Sequence, residues 1–419
     1  MKIGICIVGA GPAGLMAAIH ATPRPAPTLI LESNDAPGRK LLLTGGGRCN
    51  FTHAAGPEEL ARAFGKAGRF LRHSLYEFSP DEVRNFFRSR GLADTVEPDG
   101  SVFPAHRGAV DVRDLLVDEA RKLGTHLQYG SRVKSITAAD AGFRIDSPDR
   151  RVLAAKVILA TGGLSWPQTG STGDGFRFAG QLGHTVVPPV PALVPLITRE
   201  TWPRELAGIS LPGVRIRATV AGRRAEAIGN LLFTQRGIGG PAVLDLSRLL
   251  ADDLGEKDAG IDIGIDILPE IKEAQLDPRL QQECRTNPKK AIANILSELV
   301  PRQFARIVCC LAQCDGDLQA GQLCAEKRRR LVGVLKKTPL CITGAEPIAK
   351  ATVTHGGVSR EEIDPRTMES KVRPGLFFAG EVIDLDGPCG GYNLQMCWST
   401  GALAGRSAAR TLLGKRPST

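Results

Sequence analysis

Three glycines, Gly9, Gly11 and Gly14, follow the β-branched run 3–8 and precede an apolar stretch over 15–20, so strand, glycine turn and helix come in order. The spacing gives each glycine a task. Gly9 makes the tight turn, Gly11 lets backbone N–H groups approach a pyrophosphate, and Gly14 lets the helix pack on the strand. The anion would lie at the positive end of that helix. A second apolar run, 28–31, stops at Glu32, where a carboxylate can accept hydrogen bonds from a ribose and disfavours a 2′-phosphate. Together these residues predict the ADP-binding unit of a dinucleotide site.

The chain then reads as returning to this unit twice. VILATGG at 157–163 is a strand running into Thr161 and Gly162, and LFFAGE at 376–381 is another, ending in Gly380 and Glu381. Glu381 suits ribityl or phosphate-linked hydroxyls. A nicotinamide dehydrogenase need not come back to its first βαβ unit from the far end of the chain, so the pattern predicts FAD rather than NAD. The most distinctive stretch is GRKLLLTGGGRCN at 38–50. Gly45, Gly46 and Gly47 would expose backbone amides to a close ligand, and Arg48 and Asn50 offer donors. Negative charge gathers near N1 and the C2 carbonyl of a flavin on reduction, and such groups stabilise it there. Cys49 has no partner cysteine nearby in sequence, which favours packing over redox chemistry. His355 stands beside what reads as a flexible turn in THGGVS, where an imidazole is either structural or an acid–base group. CGGYNLQ at 389–395 feeds a final helix whose N-terminus can face the flavin.

The elements that must position these residues follow from periodicity. Helices are predicted over 80–90 and 108–123, and short strands over 126–129, 132–137, 142–146 and 156–160. Four prolines between 188 and 195 are expected to interrupt any regular element and to mark a domain boundary. Residues 196–267 alternate as an antiparallel sheet or barrel would, and 288–338 switch to helical spacing. The expected organisation is a discontinuous cofactor domain, 1–190 with 346–419, carrying an inserted β domain at 191–270 and a helical part at 271–345.

Composition fits a multidomain globular enzyme: 419 residues, 42% hydrophobic, 23% charged, with 48 Gly and 28 Pro. The formal charge of +10 favours an anionic partner such as ribosomal RNA without establishing one. The one compact basic run, 327–330, reads more readily as a solvated helix face. Ten cysteines without a C-x-x-C pair resemble neither a disulfide framework nor a metal site, and no uncharged apolar run reaches the roughly 18 residues of a membrane span. A cytoplasmic protein with no membrane and no metal is expected.

Several segments together resemble the BaiN/YhiN-like NAD(P)/FAD-dependent oxidoreductases, also described as aminoacetone oxidase family FAD-binding enzymes. They are GAGPAG, GRKLLLTGGGRCNFT, ATGGLSWPQTGSTGDGF, THGGVSREEIDPRTMESK and GLFFAGEVIDLDGPCGGYNLQMCWSTG. The resemblance spans nearly the whole chain. It implies an α/β fold: a glutathione-reductase-like, FAD-binding Rossmann domain with an inserted antiparallel, barrel-like β domain and a small helical subdomain. It implies FAD contacts at Gly9, Gly11, Ala13, Gly14, Glu32, Lys40, Gly45, Gly46, Gly47, Arg48, Cys49, Asn50, Val133, Thr161, Gly162, Gly380, Glu381, Gly391, Tyr392, Asn393 and Leu394. Cys389 and Cys397 depart from the commoner residues of the family, which puts a motif-based role there in doubt. The leading expectation is a reductase in which NAD(P)H reduces the flavin and hydride passes to an unsaturated acceptor, uridine in ribosomal RNA among them. Arg48, Asn50 and His355 would polarise flavin or substrate. An amine oxidase producing hydrogen peroxide, and an FAD-stabilised RNA-binding factor without turnover, are the alternatives.

Overall fold

The computed structural model describes residues 2–22, 27–254 and 260–414. Contacts divide the chain into two units, Met1–Val190 with Thr352–Thr419, and Pro191–Ala351. The first unit opens with β1 (Lys2–Val8), α1 (Pro12–His20) and β2 (Thr28–Leu31). Every residue of β1 after Lys2 is buried, as expected for a strand covered on both faces of a parallel sheet. β3 (Thr52–His53) pairs in a small sheet with β5 (Ser101–Pro104), which also pairs β4 (Asp94–Val96). Around it lie α2 (Pro57–Ala63), α3 (Gly68–Glu77), α4 (Pro80–Arg88) and α5 (Ala109–Lys122). α4 starts where Ser79 and Glu82 exchange hydrogen bonds, Ser79 Oγ accepting from the Glu82 amide at 3.3 Å and Glu82 accepting from the Ser79 amide at 2.6 Å. Such a capping box is worth about 1 kcal/mol.

β6 (Thr125–Gln128), β7 (Ser135–Ala139), β8 (Gly142–Ser147) and β9 (Arg150–Leu159) complete most of the main sheet, followed by α6 (Asp174–Gln181). The sheet order is β6-β2-β1-β9-β8-β7. β6, β2, β1 and β9 run parallel, and β7-β8-β9 form an antiparallel meander. Val8 is level with both Leu31 and Leu159, so Gly9, Glu32 and Thr161 emerge together at the carboxyl ends of three adjacent strands. Ligands of open α/β sheets bind at such ends.

The proline-rich segment was expected to break regular structure, but β10 (Val186–Ala192) includes three of its four prolines and pairs with β17 (Val353–Val358) of the returning chain. A two-stranded ribbon leaves one side of each strand unpaired, so proline, which cannot donate to a ladder, is tolerated there. The second unit contains β11 (Leu196–Thr198), a short helix α7 (Trp202–Glu205), β12 (Ser210–Val220), β13 (Arg223–Thr234), β14 (Gly237–Gly239), α8 (Pro241–Leu249) and β15 (Ile261–Asp266). The helices α9 (Glu273–Thr286), α10 (Ile292–Leu296), α11 (Arg302–Leu311) and α12 (Ala325–Lys336) follow, then β16 (Thr338–Ala345). The strands close as β11-β14-β13-β12-β15-β16, an antiparallel barrel. The stretch expected to be helical to 345 is therefore helical only to Lys336. Thr338 is buried and so are the three consecutive residues Leu340, Cys341 and Ile342, a short apolar run whose periodicity does not separate strand from helix. Phe233 of the barrel touches Trp202 at 5.6 Å and Phe304 of α11 at 5.7 Å between ring centroids, tying the helices to the barrel core.

β17 (Val353–Val358), β18 (Leu376–Phe378) and α13 (Tyr392–Leu412) return to the first unit, β18 pairing parallel with β9. The return begins at Thr352 rather than 346. Glu346 belongs to the second unit, where its amide donates to the Pro195 carbonyl at 2.9 Å and its carboxylate pairs with Arg236 at 3.2 Å. α13 crosses α1 through glycines: a Cβ on Gly401 would stand 2.5 Å from the Ala13 carbonyl oxygen, and one on Gly405 only 2.1 Å from that of Ala17. α13 is fixed along its length by Trp398, buried, whose Nε1 donates to the Phe51 carbonyl at 2.7 Å, and by Gln395, which donates to the Phe78 carbonyl at 3.0 Å.

Two stability measurements follow. Gly405→Ala should cost about 1–3 kcal/mol in denaturant unfolding, the usual range for forcing a methyl into a filled contact; an unchanged midpoint would show that the helices are not held this closely. His20, at the end of α1, has a buried Nε2 without a hydrogen-bond partner and packs on Phe78 at 4.8 Å. Burial, with Arg406 and Arg90 adding to it, pushes its pKa down to about 3 from 6.5. The folded state therefore binds fewer protons than the unfolded one, so this contribution to stability is complete above pH 6.5 and is lost as pH falls toward 3. The loss is about 1.4 kcal/mol per pH unit within that window. His20→Phe should flatten the slope, and equal slopes in both proteins would refute the assignment.

Candidate functional site

The glycine turn is built by close approach. Gly9 has φ +105° and its Cβ position lies 2.5 Å from the Ala160 carbonyl oxygen, while that of Gly14 lies 2.0 Å from the Gly9 carbonyl oxygen. Gly11 caps α1 in an extended conformation, with Pro12 at the first helical position and no side chain on the first-turn amides. Nothing lies within 4 Å of a Cβ at Gly11, so the space before the helix end is open. Glu32 is buried and braces this turn: Oε2 accepts from the Ala10 amide, and Oε1 from the amide and side chain of Asn34, all at 2.8 Å. The Ser131 amide donates to the Glu32 carbonyl at 2.8 Å, placing buried Val133 two residues beyond. Ala13 packs beneath Gly380, whose Cβ position is 2.7 Å from the Ala13 methyl.

Lys40 and Glu381, 341 positions apart, form an ion pair at 2.6 Å, and Lys40 also donates to Ser165 Oγ at 2.6 Å. Glu381 Oε1 accepts from Ser165 Oγ at 3.0 Å and from the Thr354 amide at 2.9 Å. Thr354 Oγ1 in turn accepts from the Leu164 amide at 2.8 Å. The turn after Thr161, with Gly162 at φ +73°, is thus locked to the returning segment.

In the triglycine stretch, Gly45, Gly46 and Gly47 have φ of +57°, +65° and +88°, and Cys49 joins them at +64°. Cys49 is fully buried, and burial pushes its thiol up to about 12, so it is not a thiolate at neutral pH. Arg48 points elsewhere than sequence suggested. Its guanidinium pairs with Glu97 at 2.7 Å and covers the Phe103 ring at 3.9 Å, with 59% of the side chain exposed. Asn50 is the opposite case: its Oδ1 is buried without a hydrogen-bond partner and lies 2.7 Å from the Cβ position of Gly391. Gly391, at φ +92°, caps α13, whose first turn carries Tyr392, Asn393 and Leu394 and has no acidic residue. Tyr392 stacks on His53 at 4.7 Å.

His355 is not beside a flexible turn. It lies on β17, where Gly356 and Gly357 serve contact: their Cβ positions would stand 2.5 Å from the Pro188 carbonyl oxygen and 2.9 Å from that of Val382. Its Nδ1 is 2.8 Å from Oδ1 of buried Asp386. Asn393 holds the turn after Asp386, accepting from the Gly387 amide at 2.8 Å and donating to the carbonyls of Gly387 at 2.9 Å and Pro388 at 3.2 Å. Sequence reading singled out neither Asp386 as a partner nor Asn393 as a clamp. The structure joins His355 to Asp386 and Asn393 to the turn that follows Asp386, and leaves Arg48 outside that set.

These residues fit FAD. Two long-range elements, α1 and α13, present first turns without acidic residues, and an orphaned amide oxygen on Asn50 lies between the triglycine bend and α13. A buried acceptor left unpaired costs about 1–3 kcal/mol, which a ring N–H of the flavin would recover. Asn50→Leu should therefore raise the melting temperature of the flavin-stripped protein while reducing the rise produced by added FAD. A variant that keeps the full FAD-induced rise would contradict this placement.

The chain matches the family described as HI0933-like protein Rossmann domain over residues 3–407. It is 35% identical over 412 residues to the 3-dehydro-bile acid delta(4,6)-reductase of Clostridium scindens, covering 97% of this chain and 98% of that protein. It is 32% identical over 397 residues to the ribosomal RNA dihydrouridine synthase of Escherichia coli, covering 94% and 95%. A 3-ketosteroid delta1-dehydrogenase from Sterolibacterium denitrificans shares the fold at a TM-score of 0.53 and 14% identity, over 98% of this chain and 100% of that one. The chain belongs to the HI0933-like family, the BaiN/YhiN type its motifs resemble, and is an FAD-dependent oxidoreductase.

Proposed function

We propose that the protein is a reductase that draws electrons from NAD(P)H and saturates a carbon–carbon double bond conjugated to a carbonyl, with uridine in RNA as the acceptor. The names of two relatives support the reaction class. A 3-dehydro-bile acid delta(4,6)-reductase and a dihydrouridine synthase differ in substrate, yet each name describes saturation of a double bond conjugated with a carbonyl group. The formal charge of +10 supports the polyanionic acceptor over the small one.

The observation that carries the reading is the His355–Asp386 pair at 2.8 Å. Saturating such a bond adds a hydride to one carbon and a proton to the other. When bound, FAD supplies the two-electron hydride chemistry; the chain must supply the proton and the polarisation. A carboxylate on Nδ1 fixes the imidazole tautomer and orientation, so that Nε2 is the atom that would exchange a proton with the acceptor. Asn393 holds the turn at Gly387 and Pro388 that follows Asp386, and because Asn393 lies in the first turn of α13, that turn is tied to the helix end that would face the cofactor. Asn50 acts on the cofactor side, while Arg48, tied to Glu97, braces the triglycine bend.

His355→Gln should lower turnover with the acceptor by about 10²-fold or more, the usual effect of removing a general acid. Asp386→Asn should lower it by about 10-fold, as expected for an orienting partner. Anaerobic flavin reduction by NAD(P)H should be unchanged in both. Wild-type acceptor turnover in both variants would remove the pair from the reaction. A wild-type flavin that NAD(P)H does not reduce, but that air reoxidises rapidly with release of peroxide, would point to an amine oxidase instead.

A further inference from the structure

The segment 66–76, KAGRFLRHSLY, contains no acid. α3 buries Gly68, Leu71, Ser74 and Leu75, and this turns Arg69, Arg72, His73 and Tyr76 to the opposite face, with Lys66 just before them on the same side. All five are exposed, and Tyr76 is 56% exposed, unusual for a large aromatic side chain. Solvated helix faces ordinarily mix signs, often as i,i+4 pairs. Here the one acid reaching the face is Glu58 of α2, which pairs with Arg72 at 2.8 Å, and among the described residues neither Lys66 nor Arg69 is in an ion pair. Glu77, at the end of α3, is turned to Arg406.

The face is rooted on the proposed catalytic turn. Phe64, between α2 and α3, meets the Tyr392 ring edge-on at 6.5 Å, and a Cβ on Gly387 would stand 2.7 Å from its ring. Gly387 is the residue after Asp386. Phe64 thus links the turn after Asp386 to the segment that leads into α3.

We infer that the outer face of α3 is a docking surface for single-stranded RNA, with Lys66, Arg69 and Arg72 on backbone phosphates and Tyr76 stacking on a base. This rests on the reading that RNA carries the acceptor. Cations spaced along one face neutralise successive phosphates, and an exposed aromatic adds sequence-tolerant stacking, the combination by which single strands are held. Tyr76 has no structural task that would keep it uncovered.

The test uses the FAD-loaded full chain and ribosomal RNA transcribed in vitro. Arg69→Ala with Arg72→Ala should weaken binding at least tenfold and reduce the slope of log Kd against log salt by about two. Tyr76→Ala should weaken binding at least fivefold with little change in slope. Lys327→Ala with Arg329→Ala, at a half-buried and an exposed position of α12, should change affinity less than twofold. All variants should keep the flavin spectrum and its reduction by NAD(P)H, which separates lost docking from lost folding. If the α3 variants bind RNA as wild type does while wild type forms dihydrouridine, the docking surface is wrong and the functional reading stands. RNA binding that depends on α3 without any dihydrouridine formed keeps the surface and overturns the reaction. A wild-type protein that ignores RNA but binds phosphatidylserine vesicles through α3 overturns both.

Discussion

The crossing of α1 and α13 is the constraint on which the rest of the first unit depends. Gly401 and Gly405 let the last helix approach the carbonyls of Ala13 and Ala17 at distances no side chain would permit, and Gly14 does the same between α1 and the Gly9 turn. Packing this close is unforgiving, because a methyl group cannot be absorbed by rotating a side chain away from a backbone oxygen. The consequence is positional. The chain's first and last helices, almost 400 residues apart in sequence, meet in one rigid pair, and the first turn of α13 is held beside the bend at 45–50.

From that pair outward, the connections are polar and long-range. Lys40, Ser165, Thr354 and Glu381 lie in four separate segments, yet one hydrogen-bonded network fastens the turn after β9 to the returning chain. A network with each member satisfied rigidifies and specifies a site more than any single contact does. His355 with Asp386, and Asn393 with Gly387, extend the same logic along the returning chain. The glycine turns are thus set by backbone approach, and the region around His355 by side-chain hydrogen bonds, which substitutions can alter with less disturbance to the fold.

Local signals made much of this legible in the sequence. The strand–glycine–helix order at 2–20, the acid after β2 and the alternation of the barrel strands each rest on neighbours within about twenty residues. Signals that depend on distant partners were not legible. Asp386 stands 31 positions from His355, and nothing in their spacing announces contact; Arg48 looked available to a flavin because Glu97 lies 49 positions away. Prolines at 188–195 argued against a strand, but that rule assumes pairing on both sides, and β10 needs it on only one. THGGVS looked flexible because its glycines were read as conformational freedom, when their task is the close passage of neighbouring backbone. β16 was missed although Pro339 breaks the helical pattern just after Lys336, because the run at 340–342 is buried without alternation.

The central claim, that the helix pair and the triglycine bend form an FAD site, is tested most directly by the visible absorption spectrum and nucleotide content of the purified chain. The expected result is a yellow protein that releases stoichiometric FAD on denaturation, or that takes it up tightly after stripping. A colourless, folded protein that binds no FAD on addition would contradict it.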